Sequence, residues 1–208
     1  MNVYATEEEQ IEAIKSFFKQ YGNTILIAFI VGLLLFLGWR YWNQRTEKLE
    51  QVASVSYEQM LQNLVNGQED AATLQAMNIV SQHPKTPYAS QASFVLAKLA
   101  VKNNQYDEGV KNLQWVVDHN KTPSMRQIAV LRAARILITQ GHPQDALNSL
   151  NKIYDEHFSS AIFEVQGDAY LALQDNKKAQ FAYQQALAKM PETVAHRKLL
   201  EMKLSNLI

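Results

Sequence analysis

Residues 163–191 read FEVQGDAYLALQDNKKAQFAYQQALAKMP. Within them Phe163, Gly167, Tyr170, Ala179, Tyr183, Ala186 and Pro191 alternate rings with small residues at fixed offsets. The spacing is helical on either side of Gln174-Asp175-Asn176-Lys177, a run of turn formers. A glycine or alanine where two helices cross lets their axes approach, rings fill the remaining space, and Pro191 marks the exit. The stretch therefore predicts an antiparallel helical hairpin.

The same hairpin recurs upstream. The small residue of the first helix falls at Ala97, Ala134 and Gly167, and that of the second at Gly109, Ala146 and Ala179; both series step by 37 and then 33 residues. A more degenerate unit puts Met60 and Ala72 another 37 residues upstream, followed by Ala76, Ile79 and Pro84. Core positions of the second helices then align as Ala76, Leu113, Leu150 and Tyr183, and as Ile79, Val116, Ile153 and Ala186. This period and pattern are those of a tetratricopeptide array, in which hairpins that cannot bury their apolar faces alone stack on one another. Few Gly and Pro, no alternating β-branched runs and abundant Ala, Leu and Gln also favour helix.

Junctions repeat too: His83-Pro84-Lys85-Thr86-Pro87 and His119-Asn120-Lys121-Thr122-Pro123 each end a second helix. With His157 in Asp155-Glu156-His157, three of the five histidines stand near helix C-termini, where a partial positive charge is favourable. His142 lies in the turn Gly141-His142-Pro143, and His196 is expected in the terminal helix. No histidine pair has the spacing of ligands on one helix face, so neither a metal nor a cofactor is expected. Thr193 to Ile208 reads as a capping helix for the open end of the array, with Leu207-Ile208 alternatively serving a partner. A Gly-rich phosphate loop, a nucleophile elbow, a cysteine and a His-Glu-x-x-His motif are all lacking. Asp168 beside Gly167 falls on a repeat helix and needs no catalytic explanation, so the chain reads as a non-enzyme.

Between Lys19 and Arg40 no residue is charged, and Ile25 to Trp39 is almost purely apolar. A helix of that length reaches about 30 Å, the thickness of a bilayer's hydrocarbon core. A cleavable signal peptide would begin with a short basic start and end at small residues; here Glu7, Glu8, Glu9 and Glu12 precede the run and Gly38-Trp39-Arg40-Tyr41-Trp42 follows it. A buried soluble helix would keep a polar side, which the run lacks. The expectation is one transmembrane helix at 23–42, with Tyr21, Trp39, Arg40, Tyr41 and Trp42 at the membrane interfaces.

The preceding tail, 1–22, has a Thr6/Glu9 capping box and Ile11, Ile14, Phe17, Phe18 and Tyr21 at helical spacing until Gly22 interrupts. It reads as a short surface helix or as the first turns of a longer one. Lys15 and Lys19 on one side of the span against Arg40, Arg45 and Lys48 on the other leave orientation open. The absence of cysteine suits either compartment. Net charge is zero, with twenty basic and twenty acidic residues, which gives no case for nucleic acid.

The chain is thus expected to be all-α: a single N-terminal transmembrane helix, a helical connector at 43–52, a tetratricopeptide-like α-solenoid at 53–192 and a cap at 193–208. First helices of such arrays line a concave surface that holds peptides. The inward positions would include Gln91, Phe94, Lys98 and Val101, then Ile128, Leu131, Arg135 and Ile138, then Ala161, Glu164, Asp168 and Leu171. Phe94, Leu131 and Ile138 would bury apolar client side chains, and Lys98 and Arg135 would hold carbonyls or acidic groups. Several of the aliphatic residues would serve equally well between neighbouring repeats.

The tail Thr6-Glu7-Glu8-Glu9 and Ile11 to Tyr21, the span Ile25 to Trp39, its boundary Gly38 to Trp42 and the degenerate repeat body together resemble the YfgM family of ancillary subunits of the bacterial Sec translocon. The resemblance covers the full length. It implies a Gram-negative inner-membrane protein with a cytoplasmic N-terminus and a periplasmic repeat domain. It also implies association with the SecYEG channel and the periplasmic chaperone PpiD, assisting secretory client proteins as they emerge. Anchored sequestration of a stress-response regulator is the alternative, and no catalytic residue is implied.

Overall fold

The computed structural model describes residues 7–151, 156–191 and 195–207, and every regular element among them is helical. The expected Thr6/Glu9 box, Ile153, Asp155, Thr193, Val194 and Ile208 lie outside the described residues, as do the side chains of Ile14 and Ile25. The chain divides into two compact units, Met1–Leu49 and Glu50–Ile208.

Helix α1 spans Glu7–Val65 and runs through Gly22 without a break. Of the two readings of the tail, the longer helix is the one that forms. A glycine inside a helix costs only about 1 kcal/mol relative to alanine, too little to stop one with good formers on both sides. In the first unit Leu26, Phe29, Leu34, Leu35 and Phe36 are exposed, and so are Tyr21, Trp39, Arg40, Tyr41 and Trp42. From Leu26 onward the helix is long and apolar enough to cross a membrane, and none of its apolar window is buried by protein. In water such a surface would aggregate, whereas hydrocarbon is its natural solvent.

The second unit is a row of hairpins. Residues 50–65 of α1 pair with α2 (Glu69–Gln82), α3 (Pro87–Lys102) with α4 (Tyr106–His119), α5 (Pro123–Thr139) with α6 (Pro143–Leu150), and α7 (Ser159–Ala172) with α8 (Asn176–Lys189). A 3-10 turn at Glu156–Phe158 precedes α7, and α9 (Arg197–Ser205) closes the row. Helix α9 is shorter than the expected cap, and His196 stands just before it rather than inside it.

Each hairpin turns on one left-handed residue: Gly67, Asn104, Gly141 and Gln174, with φ of 73°, 58°, 81° and 61°. Their spacing reproduces the steps of 37, 37 and 33. In each turn the following residue donates its N–H back across the helix end: Gln68 to Asn63, Gln105 to Ala100, His142 to Leu137 and Asp175 to Tyr170. This Schellman closure satisfies carbonyls that the helix end would leave unpaired. Sequence reading placed Asn176 and Lys177 in the last turn; they instead begin α8, which Asp175 caps by accepting from the Lys178 N–H.

Junctions between hairpins are equally regular. Pro87 and Pro123 open α3 and α5 in the first helical turn, where a missing N–H costs nothing, and Pro143 does the same for α6 within the third hairpin. The Thr86 hydroxyl donates to the His83 carbonyl at 2.8 Å, and Asn120 bridges by donating to Ser90 Oγ and accepting from the Thr122 N–H. His119 stacks on Trp115 with ring centroids 4.3 Å apart.

The core conserves volume across repeats. One residue of the first helix and one of the second share a cluster in each hairpin: Met60 with Ala76, Ala97 with Leu113, Ala134 with Leu150, and Gly167 with Tyr183. As the second member grows from Ala to Leu to Tyr, the first shrinks from Met to Ala to Gly. A Cβ on Gly167 would lie 2.3 Å from Tyr183 Cε1, so only glycine admits that ring.

Candidate functional site

The first helices α3 and α5 each bury part of their surface in the array, α3 more than α5, and each keeps an accessible side. On α3, Ala89, Ser90, Ala92, Ser93, Leu96, Ala97, Leu99 and Ala100 are buried, leaving Gln91, Phe94, Val95, Lys98 and Val101 along one side. On α5 the corresponding side carries Ile128, Arg132, Arg135 and Ile138. The two stripes adjoin directly, because the Arg132 guanidinium sits 4.6 Å over the Phe94 ring. Arg132 was absent from the expected set; its spacing to Ile128 and Arg135 is the signal that would have found it.

The expected groove residues divide. Lys98 and Arg135 are exposed, Phe94 is half-buried at the α3/α5 seam, and Val101 and Ile138 are half-buried with their sides against the core. Leu131 does not line the surface: only 5 % exposed, it packs with Ala134, Ala146, Leu150 and Val165. It thereby takes the alternative reading, packing between repeats. Asp168 lies further along, on α7, within a polar cluster.

That cluster centres on Glu164, whose side chain is only 6 % exposed. Both its carboxylate oxygens lie 2.9 Å from His196 Nε2, Lys203 Nζ donates at 3.3 Å, and the Arg135 guanidinium stands 3.8 Å away. Lys203 also donates to both Asp168 oxygens, at 2.8 and 3.0 Å, and Asp168 accepts from the Tyr183 hydroxyl at 2.7 Å. Burial alone would raise the Glu164 carboxyl; the His196 hydrogen bond, the Lys203 and His196 charges and the Lys203 hydrogen bond together hold it below the usual carboxylate range. For Tyr183, burial, the bond to Asp168 and the charges of Asp168 and Glu164 all push the phenol upward, so it stays protonated.

The arrangement fastens α9 rather than forming a reactive centre. Arg197 adds bonds to the Leu187 and Met190 carbonyls, and Leu200 is fully buried beside Tyr183 and Ala186. Helix α9 and the residue before it meet the acidic pair of the last hairpin with Lys203 and His196. His196 and Lys203 stand seven apart, hence on one helical face, and Glu164 and Asp168 four apart. These spacings were visible beforehand, but nothing local said that the two pairs meet. Among the described residues no group of His, Asp and Glu is gathered to hold a metal ion.

Comparison with known proteins agrees with this architecture. A family model described as a tetratricopeptide repeat-like domain matches residues 15–208. A protein of Haemophilus influenzae named ancillary SecYEG translocon subunit is 31 % identical over 207 residues, covering 98 % of this chain and 99 % of its own. Proteins of the same name from Escherichia coli and Neisseria gonorrhoeae are 28 % and 27 % identical, covering 100 % of this chain and 99 % and 100 % of their own. Repeat body, apolar helix and end-to-end similarity converge on one conclusion: the chain belongs to the family of ancillary SecYEG translocon subunits.

Proposed function

We propose that this chain is a non-catalytic, membrane-tethered interaction module of the Sec translocon that holds segments of secretory proteins as they emerge and assists a periplasmic chaperone of the PpiD type. The reading rests on the accessible stripe shared by α3 and α5, whose buried flanks leave Phe94, Lys98, Arg132 and Arg135 available to a client. It rests also on relatives whose names place them at the SecYEG channel. Val101 and Ile138 form the shoulders of this groove, Leu131 backs it from the core, and Asp168 belongs to its latched end. Residues 1–22 then form a cytoplasmic tail, 23–42 the span, 43–52 the connector, and 53–208 the periplasmic repeats with their cap. Tethering raises the effective concentration of the groove for chains leaving the channel, so modest affinity suffices.

Photocrosslinkers at Phe94 and Lys98 of the full chain are expected to capture secretory proteins or a periplasmic chaperone. Capture confined to a cytoplasmic regulator by residues 11–21 would replace this reading with the anchored-regulator alternative. A topology reporter fused after Ile208 should be active only in the periplasm, and cytoplasmic activity would end the proposal.

A further inference from the structure

Charge along the second unit is segregated by element. Helix α3 carries Lys98 and Lys102 with no acidic residue, and α5 carries Arg126, Arg132 and Arg135 with none either. Residues 49–84 show the opposite bias, with Glu50, Glu58, Glu69 and Asp70 and not one Lys or Arg. A chain of zero net charge thus places an exclusively cationic surface on the two helices whose accessible sides adjoin. Part of that charge is used internally: Lys102 pairs with Glu69, and Arg135 faces Glu164. Lys98 and Arg132 stay exposed, and Arg132 covers Phe94. Beside them Val95, Val101 and Ile128 offer half-buried aliphatic surface.

We infer that the α3/α5 groove takes an acidic peptide segment, its carboxylates meeting Lys98 and Arg132 and its aliphatic side chains resting on Phe94, Val95 and Ile128. This deepens the proposed peptide-binding role and rests on it. A carboxylate approaching Arg132 meets a guanidinium already placed over an aromatic face, 4.6 Å from its centroid, so less side-chain order has to be created on binding. Nucleic acid is the poorer fit. It would need a longer basic track, and the groove is bounded by the acidic first hairpin on one side and by Glu164 and Asp168 on the other.

The test uses the full chain in nanodiscs with three fluorescent peptides of one length: alternating Glu and Leu, alternating Gln and Leu, and alternating Lys and Leu. Anisotropy should rank Glu above Gln above Lys, with the Glu peptide weakening as salt is raised. Charge reversal at both Lys98→Glu and Arg132→Glu should weaken the Glu peptide by about tenfold or more and leave the Gln peptide nearly unchanged. Circular dichroism of that variant checks folding, and Lys98→Gln alone should give a smaller loss in the same direction. Equal binding of the Glu and Gln peptides would overturn the acidic preference while leaving a peptide groove standing. If no peptide binds and the Phe94 crosslinker captures nothing, the groove itself is wrong. Tighter binding of a single-stranded oligonucleotide than of the Glu peptide would also overturn the inference.

Discussion

In the first hairpin the long side chain comes from α1 and the small one from α2, Met60 against Ala76; in the last, the order is reversed, Gly167 against Tyr183. Both arrangements fill the same gap between antiparallel helices, yet they tolerate change differently. A flexible thioether can shift into new space, whereas the Tyr183 ring is held at its edge by Asp168 and cannot retreat from Gly167. The surroundings differ as well. The first hairpin is acidic without a single cation of its own, while the last is fastened by Lys203, His196 and Arg135 around Glu164. One backbone geometry is therefore upheld by apolar packing at one end of the array and by packing plus a charge network at the other.

The largest expected effect is at Met60. Met60→Ala leaves small residues on both sides of the first hairpin, and a cavity of that kind costs about 3 kcal/mol. Hydrogen exchange should show the loss concentrated in α2 and residues 50–65, because neighbouring hairpins of a repeat array unfold semi-independently. Uniform loss of protection from α2 to α9 would break the comparison.

Next comes Gly167→Ala, expected to cost about 2 kcal/mol through overpacking against Tyr183. Adding Tyr183→Leu recreates the Ala134/Leu150 pairing and should recover part of that cost in a double-mutant cycle. Strict additivity of the two changes would show that the ring is not the obstacle.

Glu164→Gln should cost about 1 kcal/mol at neutral pH, a figure discounted because Arg135 and His196 are nearly half exposed. Since the folded carboxyl lies below its ordinary value, its contribution is complete above the ordinary carboxylate range and is lost as pH falls through the folded value. Acid unfolding of α7–α9 should accordingly be shallower in the variant than in the parent chain. An unchanged acid limb would remove Glu164 from the latch.

The smallest effect has the opposite sign. Gln174 occupies a left-handed turn position that is glycine in two of the other three hairpins, so Gln174→Gly should stabilise by about 0.5 kcal/mol. A measurable loss in thermal unfolding would mean that the Gln174 side chain contributes more than its backbone strain removes.

Much of this was legible beforehand. Ala97, Ala134 and Gly167 announced themselves by spacing, because helix packing imposes a small residue at each crossing and the sequence records it. The apolar run at 25–39 was equally plain, since it is long enough to cross a membrane and apolar on every face. Gly22 left a short helix and a longer one both open, and the longer one forms because a single glycine weakens a helix without ending it. Leu131 was placed on the groove although it faces the core; on a helix enclosed from several directions, small rotations decide which side stays open. Arg132 was overlooked although its spacing to Ile128 and Arg135 puts it on the same side of α5, and its position over Phe94 brings it out.

Periodicity in the sequence by itself determined that this protein is a helical repeat array behind one apolar helix, because helix period, turn formers and membrane hydropathy are local properties. The tertiary structure alone decided which residues meet: Glu164 with His196 and Lys203, Tyr183 with Gly167, Arg132 with Phe94. Those pairs join residues up to 39 positions apart, and their encounter depends on how each hairpin rotates against the next. Local propensity carries no record of that rotation; close packing of unequal side chains sets it.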